Sequence, residues 1–331
     1  MKSLEVLVLA DGNHRIGMGH VYRSLNLARE LKKYKHKITF LTKTLPAKRI
    51  ISRQFKCLLL PRLQSKKNQI FYKLKPDIII LDKLKESKED LKIYNKNCTK
   101  IIGIDYTGPN KNLIQHGINM LYQKSGVIND KSFSGFEFAI LDKRFIKEKP
   151  IQIKRKINSI IILQGGSDTE CFTPKIISSL NLIKDNFEIT VVLGPAFKCW
   201  KNLEKAIKQN KKRIKILHNV KNMPKLMSKH DMAITGGGVT LLELCSLGIP
   251  SLVVSGAPFE NETALMIQRK GFGTSLGYGG KLSQRKISTV TKRLLADYYK
   301  RKSMNKIGRS LIDGKGVQRV ALVIEKVGEQ K

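Results

Sequence analysis

The residues best placed for chemistry lie in two glycine-rich stretches, each following an apolar run and opening a helical pattern. The first, "DGNHRIGMGHVYRSLNLAREL", sets His20 directly after Gly17 and Gly19. A neutral imidazole at the carboxyl end of a strand can take a proton from water or from a sugar hydroxyl when it is held within hydrogen-bonding reach. The same histidine also suits a plain surface or capping position at a helix start, and the pattern leaves both open. The second stretch, "DMAITGGGVTLLELCSLGIPSLVVSGAPFENETA", carries Gly236, Gly237 and Gly238. Glycines let the backbone approach a ligand closely, and the first amides of the following helix favour a phosphate. Glu243, further along that helix, either accepts hydrogen bonds from ribose hydroxyls or closes a capping box with Thr240.

Other chemistries fail on spacing. Ser167 in "LQGGSD" follows a strand, but Thr169 stands where a nucleophile elbow needs glycine. The sequence has no Walker A stretch and no His-Glu-x-x-His. Tyr22 takes the third glycine position of a dinucleotide fingerprint, and "FLTKTLP" brings no acidic residue for a ribose, which argues against a nicotinamide enzyme. Cys57, Cys98, Cys171, Cys199 and Cys245 are dispersed, with no Cys-x-x-Cys pair. Neither a disulfide framework nor a zinc site is expected from them, and they read as inert. No cofactor or metal is expected.

The elements that must carry these residues alternate between strand and helix. Strands are expected at Leu4 to Ala10, Ile38 to Leu41, Cys57 to Leu60, Ile78 to Leu81 and Lys100 to Ile104. Runs such as "DIIILD" suit strands buried on both faces of a parallel sheet. Val21, Leu25, Ala28 and Leu31 keep a helical period after His20. Around residues 143–157 charges and Pro150 replace the apolar period, which predicts a linker, and the alternation then restarts with "SIIILQGGSD". The expected architecture is α/β, with a Rossmann-like domain over 1–145, a second over 157–310, and a C-terminal helix and tail over 311–331. Two such doubly wound domains would face a cleft, with ligands outside the carboxyl ends of the strands.

A net charge of +37 over 331 residues invites polyanions. The lysines are spread along the whole chain, however, and no helix-turn-helix, zinc-finger or RNP pattern accompanies them. Solvated lysine-rich faces are therefore expected over nucleic-acid binding, with peripheral membrane association through the basic surface left open. The N-terminal "MKSLEVLVLADG" reads as a first strand and not as a signal peptide, so a cytoplasmic protein is expected.

"DGNHRIGMGHVYR" resembles the Asp-x-Ser-x-x-Ile-Gly-x-Gly-His-x-x-Arg signature of the UDP-2,4-diacetamido-2,4,6-trideoxy-β-L-altropyranose hydrolases of pseudaminic acid synthesis, shared by the related spore-coat polysaccharide proteins. "ITGGGVTLLELCSLGIPSLVV" with "ENETA" is similar to their C-terminal region and to the UDP-binding half of MurG-type glycosyltransferases. "LQGGSD" and "GFEFAILDKRF" match further turns of that family. The resemblance implies a GT-B fold and a metal-independent, inverting attack on the anomeric carbon of a UDP-sugar. It makes His20 the base that activates water, and it places Gly17 and Gly19 beneath the sugar and diphosphate. Gly237 and Gly238 would hold the diphosphate, Glu243 the ribose, and Asn261 with Glu262 the leaving group or sugar. The motif positions Asp11, Arg23, Gly166 and Thr240 are carried over as substrate-binding. Lys83 and Leu84 after Asp82, and Tyr106 after Asp105, depart from the family's Asp-His-Tyr and Ile-Asp-Asp, and Glu262 replaces a glutamine.

The leading expectation is a UDP-sugar hydrolase serving nonulosonic acid or surface-polysaccharide synthesis. A glycosyltransferase of the same fold, with His20 acting on an acceptor hydroxyl, is the alternative. A basic nucleic-acid or membrane-surface binding protein is the third.

Overall fold

In a computed structural model of the chain, the residues described are 3–13, 16–98, 100–121, 132–166, 168–195 and 197–329. Ser167 lies outside them. The chain divides into two compact units, Met1–Asp142 with Gly314–Lys331, and Lys143–Asp313.

The first unit runs β1 (Glu5–Ala10), α1 (Gly19–Leu31), β2 (Lys37–Thr42), α2 (Leu45–Ile51), β3 (Lys56–Leu59), α3 (Gln64–Leu74), β4 (Ile78–Asp82), α4 (Lys88–Asn97), β5 (Ile101–Ile104), β6 (His116–Asn119) and β7 (Ser132–Ser134). Its sheet has the order β3-β2-β1-β4-β5-β6-β7, every pair parallel. The strands expected from sequence are found within a residue or two at either end. β6 and β7 were not expected, because "HGIN" and "SFS" are too short and too polar to stand out as apolar runs. β1 and β4 are buried along almost their whole length, as their unbroken apolar sequences require of strands covered on both faces.

The second unit runs α5 (Lys143–Lys147), β8 (Ser159–Leu163), α6 (Phe172–Asn181), β9 (Glu188–Leu193), α7 (Trp200–Lys208), β10 (Ile214–His218), α8 (Met223–Met227), β11 (Met232–Thr235), α9 (Val239–Ser246), β12 (Ser251–Ser255), α10 (Pro258–Arg269), β13 (Gly273–Tyr278), α11 (Gln284–Ala296) and α12 (Tyr298–Leu311). Its parallel sheet has the order β10-β9-β8-β11-β12-β13. Ile160, Ile162, Ile189, Val191, Ile234 and Leu252 from this sheet pack with Ile176, Ile177 and Leu180 of α6 in one core. α5 begins the stretch read from sequence as linker.

Helix α13 (Gly316–Glu329) belongs to the first unit, whereas the sequence predicts a separate C-terminal helix and tail over 311–331. It packs along α1. There the buried His36 accepts from the Leu4 amide through Nδ1, which leaves Nε2–H to donate to Glu325. No helix among the described residues is long and apolar enough to cross a membrane.

Each sheet changes winding direction once, between β1 and β4 in the first unit and between β8 and β11 in the second. Chain connections leave such a switch point in opposite directions, which opens a crevice at the strands' carboxyl ends. His20 follows β1 and Asp82 ends β4, while Gly166 follows β8 and Gly236 follows β11. Both glycine-rich stretches therefore lie at switch points.

Candidate functional site

The first glycine stretch folds into a tight loop. A Cβ at Gly12 would meet Met18 Sδ at 2.7 Å and Val21 Cγ2 at 2.8 Å, so only glycine lets the chain turn off β1 so closely over α1. Gly17 has φ of +74°, and the Asn13 amide donates to its carbonyl at 3.2 Å. α1 opens at the exposed Gly19 without a side-chain cap, with His20 as its second residue.

Ala10 of β1 is in register with Asp82 of β4, and this pairing brings His20 onto a carboxylate 62 residues away. His20 Nδ1 lies 2.8 Å from Asp82 Oδ1; the His20 side chain is 17% exposed and that of Asp82 fully buried. Asp82 also accepts from Arg23 Nε at 2.9 and 3.0 Å, Arg23 Nη2 at 2.6 Å and Ser24 Oγ at 2.6 Å. Burial alone would raise its pKa, but the Arg23 charge and the hydrogen bonds from His20 and Arg23 outweigh it and hold the group at about 2. Asp82 is thus a permanent acceptor at neutral pH. Nδ1 of His20 must carry the proton, and Nε2 is the basic nitrogen. Nε2 has no hydrogen-bond partner among the described residues.

Arg23 itself is buried between two carboxylates, with Nη1 donating to Asp105 Oδ2. Asp105 in turn accepts from the amides of Met120 and Leu121. Burial raises the Asp105 pKa against the pull of Arg23. Arg23 therefore acts by positioning Asp82, and behind it His20. Asp11 is likewise engaged within the protein: it accepts from Thr42 Oγ1 at 2.9 Å, the Lys43 amide at 2.6 Å and Lys83 Nζ at 2.8 Å.

Lys83 and Tyr106, two of the departures from the resembled signature, converge on one residue. Lys83 Nζ reaches Glu86 Oε2 at 3.0 Å, and the Glu86 amide donates to Tyr106 Oη at 3.3 Å. The network continues through Lys43, which bridges Glu86 and Asp90, to Lys67. Opposite charges alternate along it, so the buried Lys83, Glu86, Asp90 and Lys67 are satisfied, with the exposed Lys43 bridging Glu86 and Asp90.

In the second unit, Gly236, Gly237 and Gly238 link β11 to α9. The helix begins at Val239 with Gly238 as its N-cap and has no side-chain cap. The Thr240–Glu243 capping box is therefore not formed: Thr240 already lies inside the first turn. Thr240, Glu243, Asn261 and Glu262 are all partly exposed around this turn and the start of α10. A Cβ at Gly194 would meet the Gly166 carbonyl at 2.2 Å, so the turns after β8 and β9 touch.

Glu260 was not expected. It stands in the first turn of α10, and its Oε2 accepts from the Gly256 amide at 2.7 Å, with the Gly237 amide as a second donor. Burial raises its pKa, although both amides oppose this. A side chain at Gly237 is excluded, since its Cβ would lie 2.2 Å from the Glu260 carbonyl. Buried polar atoms without partners surround the strand ends here: Gln164 Nε2, Thr235 Oγ1, Ser255 Oγ and Asn261 Oδ1. The fragment "PFENETA" held this clue only as an acidic residue at a helix start, which is common for helix-dipole reasons alone.

The cysteine expectation is corrected. Cys171 and Cys199, the N-cap residues of α6 and α7, are joined in a disulfide with Cα atoms 5.8 Å apart. Their separation in sequence hid the pair, because β8–α6 and β9–α7 bring the helix starts together only in the folded sheet. Cys57, Cys98 and Cys245 are buried and free. Among the described residues, no group of three or more His, Cys, Asp or Glu side chains is placed to hold a metal ion.

Two parallel doubly wound sheets with this strand order are the architecture of the GT-B glycosyltransferases. Over its length the chain matches MurG of Acinetobacter baumannii with a TM-score of 0.69 at 12% identity, covering 97% of this chain and 99% of that one. S. aureus MnaA, in a co-structure with UDP, matches with a TM-score of 0.67 at 12% identity, over 98% and 96% of the two chains. In sequence the chain is similar to the spore coat polysaccharide biosynthesis protein SpsG of Bacillus subtilis, 28% identical over 99% of this chain and 100% of SpsG. It is also similar to the uncharacterized protein MJ1062 of Methanocaldococcus jannaschii, 34% identical over 78% of this chain, which spans 56% of that relative's length. No protein-family model matches the chain.

Proposed function

We propose that this chain is a UDP-sugar hydrolase of nonulosonic acid or surface-polysaccharide synthesis, with His20 as its base. The observation that carries this reading is the His20–Asp82 pair: a buried carboxylate fixes the imidazole tautomer and leaves Nε2 as the basic nitrogen. In the proposed step Nε2 takes a proton from water, and the oxygen attacks the anomeric carbon. The bond from that carbon to the diphosphate oxygen breaks, and UDP leaves with the electron pair. His20, in the first unit, is the base of this reading. In the second unit the glycine turn, with the backbone amides that open α9, favours the charge of a diphosphate. Gly237 and Gly238 would sit against that group, with Glu243 at the ribose and Asn261 and Glu262 near the sugar or leaving oxygen.

A glycosyltransferase fits about equally, with Nε2 deprotonating an acceptor hydroxyl in place of water. The name of SpsG, a polysaccharide biosynthesis protein, and the likeness to MurG favour it. A panel of UDP-sugars, followed by NMR for anomeric signals and UDP release, separates the two. Free reducing sugar without an acceptor, lost in His20→Asn, supports the hydrolase; UDP release that requires an acceptor supports the transferase. Failure to release UDP in either format, with no thermal shift on adding UDP, overturns both.

A further inference from the structure

The Glu260 carboxylate fills the space in front of the glycine turn. Its oxygens lie 3.5–3.6 Å from where a Cβ would project at Gly236 and Gly238, and 3.4 Å from that position at Gly256. It takes the Gly256 and Gly237 amides as donors. A carboxylate and a phosphate are interchangeable at such amides, since each offers anionic oxygens to a fixed set of N–H groups. Gln164 lies across the same turn, its Oε1 3.7 Å from the Gly236 position, yet its buried Nε2 has no acceptor. A buried donor left unpaired costs stability, and a phosphate, with more oxygens than a carboxylate, could satisfy both the amides and Gln164.

We propose that Glu260 is a built-in occupant of the phosphate-binding turn: its carboxylate holds the turn formed in the free protein and must leave when a nucleoside diphosphate enters, whose phosphate then takes the Gln164 amide as an added donor. This deepens the nucleotide reading above and rests on it. Two consequences follow from charge. Removing the charge of Glu260 removes a competitor and a repulsive neighbour of the diphosphate. Protonating Glu260 does the same reversibly, and burial raises its pKa, so self-occupation weakens as the pH falls.

The test is isothermal titration of UDP, and separately of inorganic pyrophosphate, into the full-length wild type, Glu260→Gln and Gln164→Ala at pH 8 and pH 5.5, with a thermal melt of each protein. Glu260→Gln should bind UDP about tenfold more tightly than wild type at pH 8, and any change of the ratio at pH 5.5 should be a narrowing. Gln164→Ala should bind several-fold more weakly without a fall in melting temperature. UDP binding that is equal or weaker in Glu260→Gln overturns the proposal while leaving nucleotide binding intact. Were Glu260→Gln to unfold, unchanged affinity in Gln164→Ala would decide against the proposal by itself. Absence of binding of either probe to all three proteins overturns the nucleotide reading and this proposal together.

Discussion

His20 and Asp82 meet at 2.8 Å across the switch point of the first sheet, one on the helix after β1 and the other at the last position of β4. Their partnership divides the roles. Asp82 is wholly internal and tied to Arg23 and Ser24, whereas His20 is partly open to solvent.

The division predicts different losses on substitution. His20→Asn should keep the melting temperature close to wild type and lower UDP release by about 10²- to 10⁴-fold, the usual worth of a general base. Asp82→Asn should lower both, since it leaves buried Arg23 short of a countercharge, at a cost of about 3–5 kcal/mol. Urea denaturation beside the UDP-release assay distinguishes the two patterns.

Acid should weaken the fold through Asp82. Its folded-state pKa of about 2 lies below the ordinary aspartate value of 3.8, so its contribution is present above pH 4 and is lost as pH falls toward 2. The difference is worth about 2 kcal/mol. Asp11 and Asp90 are shifted in the same direction, while Asp105 is raised and opposes them. Urea midpoints measured from pH 6 to pH 2.5 should fall, and the fall should be shallower in Asp82→Asn.

Lys83 holds two carboxylates, Asp11 and Glu86, from a buried position. Lys83→Met should therefore destabilise the protein by about 3–5 kcal/mol, because it strands charge inside the structure. A second change, Glu86→Gln, should recover part of that loss, and a double-mutant cycle in urea measures the coupling. Additive losses would contradict the network.

Neighbouring glycines in the second unit should respond unequally. Gly237→Ala pushes a methyl group into the Glu260 carbonyl and should cost about 1–3 kcal/mol together with UDP affinity. At Gly238 the nearest contact of a Cβ is 3.5 Å, with a side-chain oxygen, so Gly238→Ala should stay within about 0.5 kcal/mol of wild type. Thermal melts of the two variants check the contrast.

The Cys171–Cys199 bridge closes a loop across a sequence separation of 28. Cys171→Ser should lower stability by about 3 kcal/mol under non-reducing conditions and have little effect with a reductant present. Urea unfolding with and without dithiothreitol is the measurement.

Much of this was legible from sequence where a single local pattern decides the outcome. Apolar runs marked β1, β4 and β8, and the glycine stretches marked both switch points, because strand burial and tight turns act over a few residues. Partnerships across the sheet were not legible. Asp82 follows an isoleucine run that reads as plain core, and nothing in the sequence couples it to His20 until β1 and β4 pair. The same holds for Arg23 and Asp11, carried over as substrate-binding by their motif positions: their internal partners, Asp82 and Asp105 for Arg23 and Thr42, Lys43 and Lys83 for Asp11, were not legible. Lys83 and Tyr106, which break the resembled signature, both contact Glu86, a partnership their places in sequence do not reveal.

The return of α13 to the first unit bears on the order in which the protein matures. The second unit, Lys143–Asp313, is a continuous stretch of chain. The first unit is interrupted, and a Cβ on Gly328 would press on Leu4 while the His36–Glu325 contact joins residues 289 apart. On a ribosome the second unit can therefore close its core before α13 emerges. The unit that carries His20 waits for α13, and a product cut short before that helix would lose packing around α1 first.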